Sequence, residues 1–410
     1  MKIYQPSGEL SPEHIPKGEH MKKLLSVLVI LALAAPAMLM AGGQGEGEAA
    51  DGDGEPQARI AIAFDVGGLG DQSFNDSAYR GLVQVAEEYN GYIDSSAVDV
   101  DYGDNVQLIF LEPQEGGQDR EQLLRLLAED GYNLIFGVGF AYTDVLGDVA
   151  EDFPAVHFGL IDGFIPELGA EDNITAISFA EHEGSFLVGA LAAMFMEDQE
   201  MDANRVGFIG GQDMALIHRF EAGYMAGAMY ANPALAEGDR VVGQYIGQDP
   251  SAFTDPQTAE NIARNMFNND VGIAYHAAGG SGAGLFRAAY EMDRWSIGVD
   301  SDQGLVYATS DNDQEQAIGE HILTSMLKRV DQSVFLLSQA YLENDGEVDG
   351  GYVTYGLEED GVGVAVNDYN EDLVEPYMAE VNELKQMVID GEITVPTNDE
   401  ELQNWMDENF

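Results

Sequence analysis

The stretch AFDVGGLGDQSFNDSAYRG, residues 63–81, decides the reading of the chain. It opens as the end of an apolar strand and bends through Gly67, Gly68 and Gly70. It then enters a helix whose Phe74, Ala78, Leu82, Val85, Ala86 and Tyr89 recur at three-to-four spacing. Glycines at such a bend permit tight turns and close approach of a ligand. Asp71 or Ser73 is placed to cap the helix. The glycine order does not match a dinucleotide fingerprint, and no GxxxxGK[ST] phosphate loop occurs in the chain.

The same alternation runs outward from this turn. RIAIAFD, VQLIFLEP, NLIFGVG, AVHFGLID and ITAISF read as strands, and DREQLLRLLAED and TDVLGDVAEDF as helices between them. Strands apolar almost throughout suit a parallel sheet covered on both faces. After EGSFLVGALAAMFMED, a helix, the pattern repeats through RVGFIGG, RVVGQYIG, VGIAYHAAGG and WSIGVDSDQ. Two doubly wound α/β lobes in series are expected, with ligands met by loops at the carboxyl ends of the strands and a cleft between the lobes. The tail reads as a long helix around EHILTSMLKRVDQSVFLLSQAYL, a hairpin GYVTYGL…GVGVAVND, and a final helix from about Asp372. NGYIDSSAVDVDYGDN reads as a surface insertion.

Composition narrows the function. The 410 residues carry 74 Asp+Glu against 17 Lys+Arg, a formal charge of −57, spread along the chain. Such a surface repels nucleic acid and anionic lipid. It suits work in high salt, where self-repulsion is screened, so the unfolding midpoint should rise between low and molar salt. With 0 Cys there is no disulfide, thiolate nucleophile or cysteine zinc site. MKKLLSVLVILALAAPAMLMAGG has Lys22 and Lys23, an apolar run and then small residues, the build of a secretory signal. Pro36 and the shortness of the run favour a signal over a membrane anchor. Residues 1–20 read as an extension from a mis-assigned start, 21–41 as the signal, and 42–57 as a Gly/acid linker. The first lobe is expected from 58–179 plus 315–347, and the second from 180–314 plus 348–410.

Strand ends of both lobes bring aromatic rings and acids: Phe140 and Asp144, Asp162, Phe220, Asp300 and Asp302, with HAAGGSGAG a second glycine-rich turn. Singly, each ring suits a core and each aspartate a cap. Together they suit a neutral, polar, flat ligand, since phenyl rings stack on heterocycles and carboxylates accept N–H and O–H hydrogens. No HExxH, no GxSxG and no complete calcium loop is present, so no metal and no cofactor is expected. His218 neighbours one of these loops and suits packing or a ligand bond.

The segments DVGGLGDQSFNDSAYRGL, GVGF…D, EGSFLVGALAA, VGFIGGQD…F.AGYMAGA, AAGGSGAGLF.AA, IGVDSDQ and TSMLKRVD, in this order, resemble the basic membrane protein family, which includes purine nucleoside receptors of ABC transporters. The resemblance implies a type I periplasmic binding protein fold, two lobes joined by three crossovers. It implies that Asp65 and Asn75 bond the ligand, that Phe74 and Phe220 stack on the base, and that Asp144 contacts the base. Asp300 and Lys328 would hold ribose hydroxyls, with Gly279 and Gly280 lining the pocket. The implied protein is an exported, periplasmic or cell-surface receptor, not an enzyme. Its partners are a purine nucleoside and an ABC permease, and it meets the membrane only through its signal segment or that permease. Family members are typically lipoproteins, and the absent cysteine argues against lipid anchoring here. A sugar or autoinducer receptor on the same fold, a nucleoside-cleaving enzyme and a ligand-free surface adhesin are the rival readings.

Overall fold

The computed structural model describes residues 56–94, 100–114, 116–199, 201–238 and 240–410. The expected extension and signal, and the linker up to residue 55, lie outside the described residues, as do 95–99 of the expected surface insertion.

The strands in chain order are β1 (Ala58–Ala63), β2 (Gly91–Ile93), β3 (Val100–Asp101), β4 (Val106–Leu111), β5 (Leu134–Val138), β6 (His157–Ile161) and β7 (Ile174–Phe179). There follow β8 (Arg205–Gln212), β9 (Val241–Gly247), β10 (Val271–Ala277), β11 (Trp295–Asp300), β12 (Ile322–Lys328), β13 (Gly351–Tyr355) and β14 (Val362–Val364). They form two sheets, ordered β13-β7-β6-β5-β1-β4-β2-β3 and β14-β12-β11-β10-β8-β9. Among the described residues only β2–β3 and β12–β14 pair antiparallel. Every residue of β5, β6 and β10 is buried, as expected of strands covered on both faces. The helix Phe74–Glu88 buries Ala78, Leu82, Val85 and Ala86 against the first sheet, as its periodicity predicts.

Three connections join the lobes. Ala180 leads from β7 into the helix Glu181–Asp198, Arg329 from β12 into the helix Val330–Glu343, and 356–361 from β13 to β14. They run side by side: Ala180 N donates to Tyr355 O, and Arg329 N to Gly361 O, both at 2.9 Å. The helix Glu181–Asp198 is apolar nearly all round and is locked to the helix Ala215–Ala231. A Cβ on Gly189 would stand 2.1 Å from Tyr224 O, and one on Gly227 1.9 Å from Phe186 O, so the two backbones could not approach this closely with any other residue.

The tail departs from the sequence reading. Ile322–Lys328 is a strand of the second sheet, and only Val330–Glu343 is helix. A strand buried on both faces has no period to separate it from a buried helix. GYVTYGL and GVGVAVND are not a hairpin: β13 pairs β7 in the first sheet and β14 pairs β12 in the second. The expected divisions at 315 and 348 therefore move. The second lobe keeps the chain through Lys328, and the first holds the helix Val330–Glu343 and β13 up to Tyr355. The tail beyond residue 370 forms two helices, Glu371–Ile389 and Asp399–Asn409, rather than one.

Candidate functional site

The turn after β1 is built around one carboxylate. Asp71 accepts the backbone N–H groups of Ser73 (2.8 Å), Asn75 (2.9 Å) and Asp76 (3.1 Å), so Asp71, not Ser73, caps the helix Phe74–Glu88. Asn75 Nδ2 also donates to Asp71 at 2.9 Å, and Asn75 Oδ1 accepts Asp65 N at 3.1 Å. Asp65 Oδ1 accepts Val66 N at 2.7 Å and is ion-paired with Arg120. Asp65 Oδ2 accepts no hydrogen bond among the described residues. Gly139, at φ 118°, keeps that oxygen clear: a Cβ there would stand 2.5 Å from it.

Asp65, Phe74 and Asn75 from the first lobe line one cavity with Phe220, Gly279, Gly280, Asp300 and Lys328 from the second. The cavity holds about 710 Å³ of atom-free space, part of it open to solvent. Phe140 and Phe253, from opposite lobes, both line it, with ring centroids 6.3 Å apart and planes tilted by 56°.

The charges concentrate on Lys328. Its Nζ lies 2.6 Å from Asp162 Oδ2 and 3.2 Å from Glu181 Oε1, with all three side chains buried. Arg219 Nε meets the other Glu181 oxygen at 3.2 Å. Phe74, Phe179 and Phe220 hold their ring centroids 5.3, 5.1 and 5.4 Å from Nζ, within cation–π reach. Burial alone would lower the Lys328 pKa, but Asp162, Glu181 and Asp300 outweigh it and push it up to about 12. Burial pushes Asp300 up to about 6 against the pull of Lys328 and the Ser73 hydroxyl. Burial and the neighbouring Asp76 likewise push Asp71 up to about 6. Asp162 and Asp300 both sit in the left-handed region, at φ 63° and 64°, at corresponding strand ends of the two lobes. Such backbone costs about 1–3 kcal/mol per residue and collects at ligand sites. Asp162 Oδ1 is buried and accepts no hydrogen bond among the described residues.

The lining therefore holds Asp65, Asp71, Asp162 and Asp300 against one ammonium that is already paired. An anionic ligand would find no spare cation here. A neutral ring with N–H and O–H groups would find stacking faces and open carboxylate oxygens. No group of three or more metal-ligating acids or histidines occurs among the described residues.

Residues 58–399 match the model of the Bmp family, described as ABC transporter substrate-binding protein PnrA-like. This chain belongs to the Bmp family. A CD4+ T-cell-stimulating antigen of Listeria innocua is 32% identical, over 82% of this chain and 87% of its own. The ABC transporter nucleoside-binding protein BmpA of Lactococcus lactis is 31% identical, over 83% and 89%. Among solved structures, an ABC transporter solute-binding protein of Aeropyrum pernix K1 superposes with a TM-score of 0.68 at 28% identity, covering 85% of this chain and 98% of that one. The fold is the type I periplasmic binding protein fold. As a Bmp protein the chain is the substrate-binding component of an ABC transporter, an extracytoplasmic or surface-associated receptor rather than an enzyme. No helix among the described residues is long and apolar enough to cross a membrane.

Eight of the nine residues named from the sequence of this Bmp protein thus share one cavity. Asp144 does not: it sits exposed in the first turn of the helix Thr143–Asp152, while Phe140, one turn earlier, lines the cavity. Sequence reading missed Arg120, Glu181 and Phe253 as parts of the site, and it named Asp162 as a strand-end acid without giving it a role, although Asp162 lines the cavity. Glu181 carried a weak signal, as one of two acids in the first turn of a helix that is apolar along its middle. Phe253 ends the turn Pro250–Phe253 after β9, a strand-end position like the others. His218 packs at 5.3 Å on the Tyr245 ring and bonds Asp213 at 2.7 Å, and it does not line the cavity.

Proposed function

We propose that this protein is a receptor for purine nucleosides, which it encloses between its lobes and delivers to the permease of an ABC importer. The observation that carries the reading is that Phe74 and Phe220, from opposite lobes, line the same cavity as Asp65 and Asp300. In this reading the base lies between the two phenyl rings. Asp65 Oδ2 and Asn75 receive and bond its edge. Asp300, Asp162 Oδ1 and Lys328 hold the ribose hydroxyls, and Gly279 and Gly280 let the backbone approach the ligand. The name of the Lactococcus lactis relative supports the same ligand class.

The test is calorimetry with guanosine, inosine, their free bases and ribose-type sugars. Nucleosides should bind, and sugars should not displace them. Displacement by a sugar with no nucleoside heat would overturn the assignment. Phe74→Ala should weaken nucleoside binding by about 2–3 kcal/mol, combining lost stacking of about 0.5–1.5 kcal/mol with lost apolar burial. An unchanged affinity in that variant would remove the base from the Phe74 ring.

A further inference from the structure

Ser73 is fully buried and does not line the cavity. Its helix does not use the hydroxyl, because Asp71 supplies the cap. The hydroxyl instead crosses to the other lobe and donates to Asp300 Oδ2 at 2.5 Å. A second serine completes the crossing. Ser301 Oγ donates to the Ser73 carbonyl oxygen at 2.8 Å and accepts Arg80 Nη2, also at 2.8 Å. Ser73 and Arg80 belong to the first lobe, and Asp300 and Ser301 to the end of β11 in the second. Three hydrogen bonds thus join the lobes beside the cavity.

We infer that Ser73, with Ser301 and Arg80, is a clasp that holds Asp300 in place at the cavity wall and sets how far the lobes close before solute arrives. The assignment of Asp300 to solute contact rests on the receptor reading above, but the clasp itself does not. Ser73 is a positioning residue: it touches no solute and acts through Asp300. A hydrogen bond to a charged acceptor is worth more than a neutral one, and its loss inside a buried contact is not made good by water. The groups around Asp300 are Lys328, Asp162, Asp71 and Tyr275, besides Ser73 itself. Of these, the Ser73 hydroxyl and Lys328 favour the ionised carboxylate, and the two aspartates oppose it.

The chain has 0 Cys, so two introduced cysteines carry spin labels without interference. Leu126→Cys in the first lobe and Gln257→Cys in the second are exposed helix positions. Electron–electron resonance on the ligand-free, doubly labelled protein measures the lobe separation. Ser73→Ala should lengthen and broaden it, and Arg80→Gln, an exposed substitution, should shift it in the same direction by less. With inosine, Ser73→Ala should dissociate about tenfold faster, the scale of one lost charge-assisted hydrogen bond. Its binding should also fail at a higher pH on the acid side than in the parent, because Asp300 has lost a bond that favoured its ionised form. A merely structural role for Ser73 would leave that acid limb in place. Unchanged separations in both variants, or an unmoved acid limb in Ser73→Ala, would overturn the clasp. If no nucleoside binds to any variant, the receptor reading fails while the ligand-free separations still score the clasp.

Discussion

Lys328→Met should lower the stability of the folded protein by about 3–5 kcal/mol at pH 7.5, the cost of stripping one partner from a buried charge cluster. Methionine keeps most of the lysine's volume, so the loss is electrostatic rather than a cavity. Asp162 and Glu181 would stay buried, their side chains 6% and 0% exposed, without the ammonium that joins them, and Arg219 would be the remaining cation at Glu181. Burial already raises Glu181 and Asp300, and Lys328 is among the groups holding both down. Removing it raises both further. A carboxylate whose folded pKa exceeds its unfolded value binds more protons when folded, so stability falls as pH rises through that interval. The deficit of Lys328→Met should therefore shrink as the pH falls toward about 6, because Asp300 in the variant takes up its proton at a higher pH than the value of about 6 it has in the parent. In the parent protein Lys328 holds its own proton up to about 12, so its contribution is intact across this range. Urea unfolding of parent and variant at pH 7.5 and pH 5 measures both effects. Equal midpoints at pH 7.5 would mean that the acids around Lys328 do not need its charge. A deficit that does not change with pH would place the loss in packing instead.

How much of this site could be read from the chain depends on the range of the interactions. Two-sided apolar strands such as Leu134–Val138 and the one-faced helix Phe74–Glu88 are local patterns, and both lobes follow from them. The crossing points are not local. Nothing in the run from Ile322 to Lys328 says that a strand, rather than a helix, completes the second sheet; that is decided by its neighbours β11 and β14. The same division holds in the site. Phe74, Asp65 and Asp300 sit at strand ends or beside a glycine turn, where position alone marks them. Glu181 and Lys328 stand on either side of the lobe connections and acquire their meaning only when those connections lie side by side. Arg120 acts by pairing with Asp65, 55 residues away. Asp144 was misplaced by a single turn: the chain winds through the short helix Phe140–Tyr142 before Thr143–Asp152, which puts the ring in the cavity and leaves the carboxylate in water.

Asp300→Ala should cost nucleosides about 2–5 kcal/mol of binding free energy, the range for truncating one partner of a buried, hydrogen-bonded charge. Free bases should lose much less, because the ribose hydroxyls are what the carboxylate is proposed to hold. Two other consequences of the substitution must be separated from that one. Alanine at φ 64° is strained, whereas asparagine visits this region readily, so Asp300→Asn tests the charge with the backbone kept. The Ser73 hydroxyl also loses its acceptor across the lobes in Asp300→Ala. That loss weakens closure around any ligand, base or nucleoside alike, and Ser73→Ala measures it alone. The ribose term is the part of the Asp300→Ala effect that appears with inosine and not with hypoxanthine, after the Ser73→Ala effect on both is subtracted. Calorimetry of the two ligands against the three variants gives the subtraction directly. Equal losses for nucleoside and base would move the ribose away from Asp300. Asp162 Oδ1, a buried oxygen at the matching strand end of the other lobe, would then be the next carboxylate to truncate.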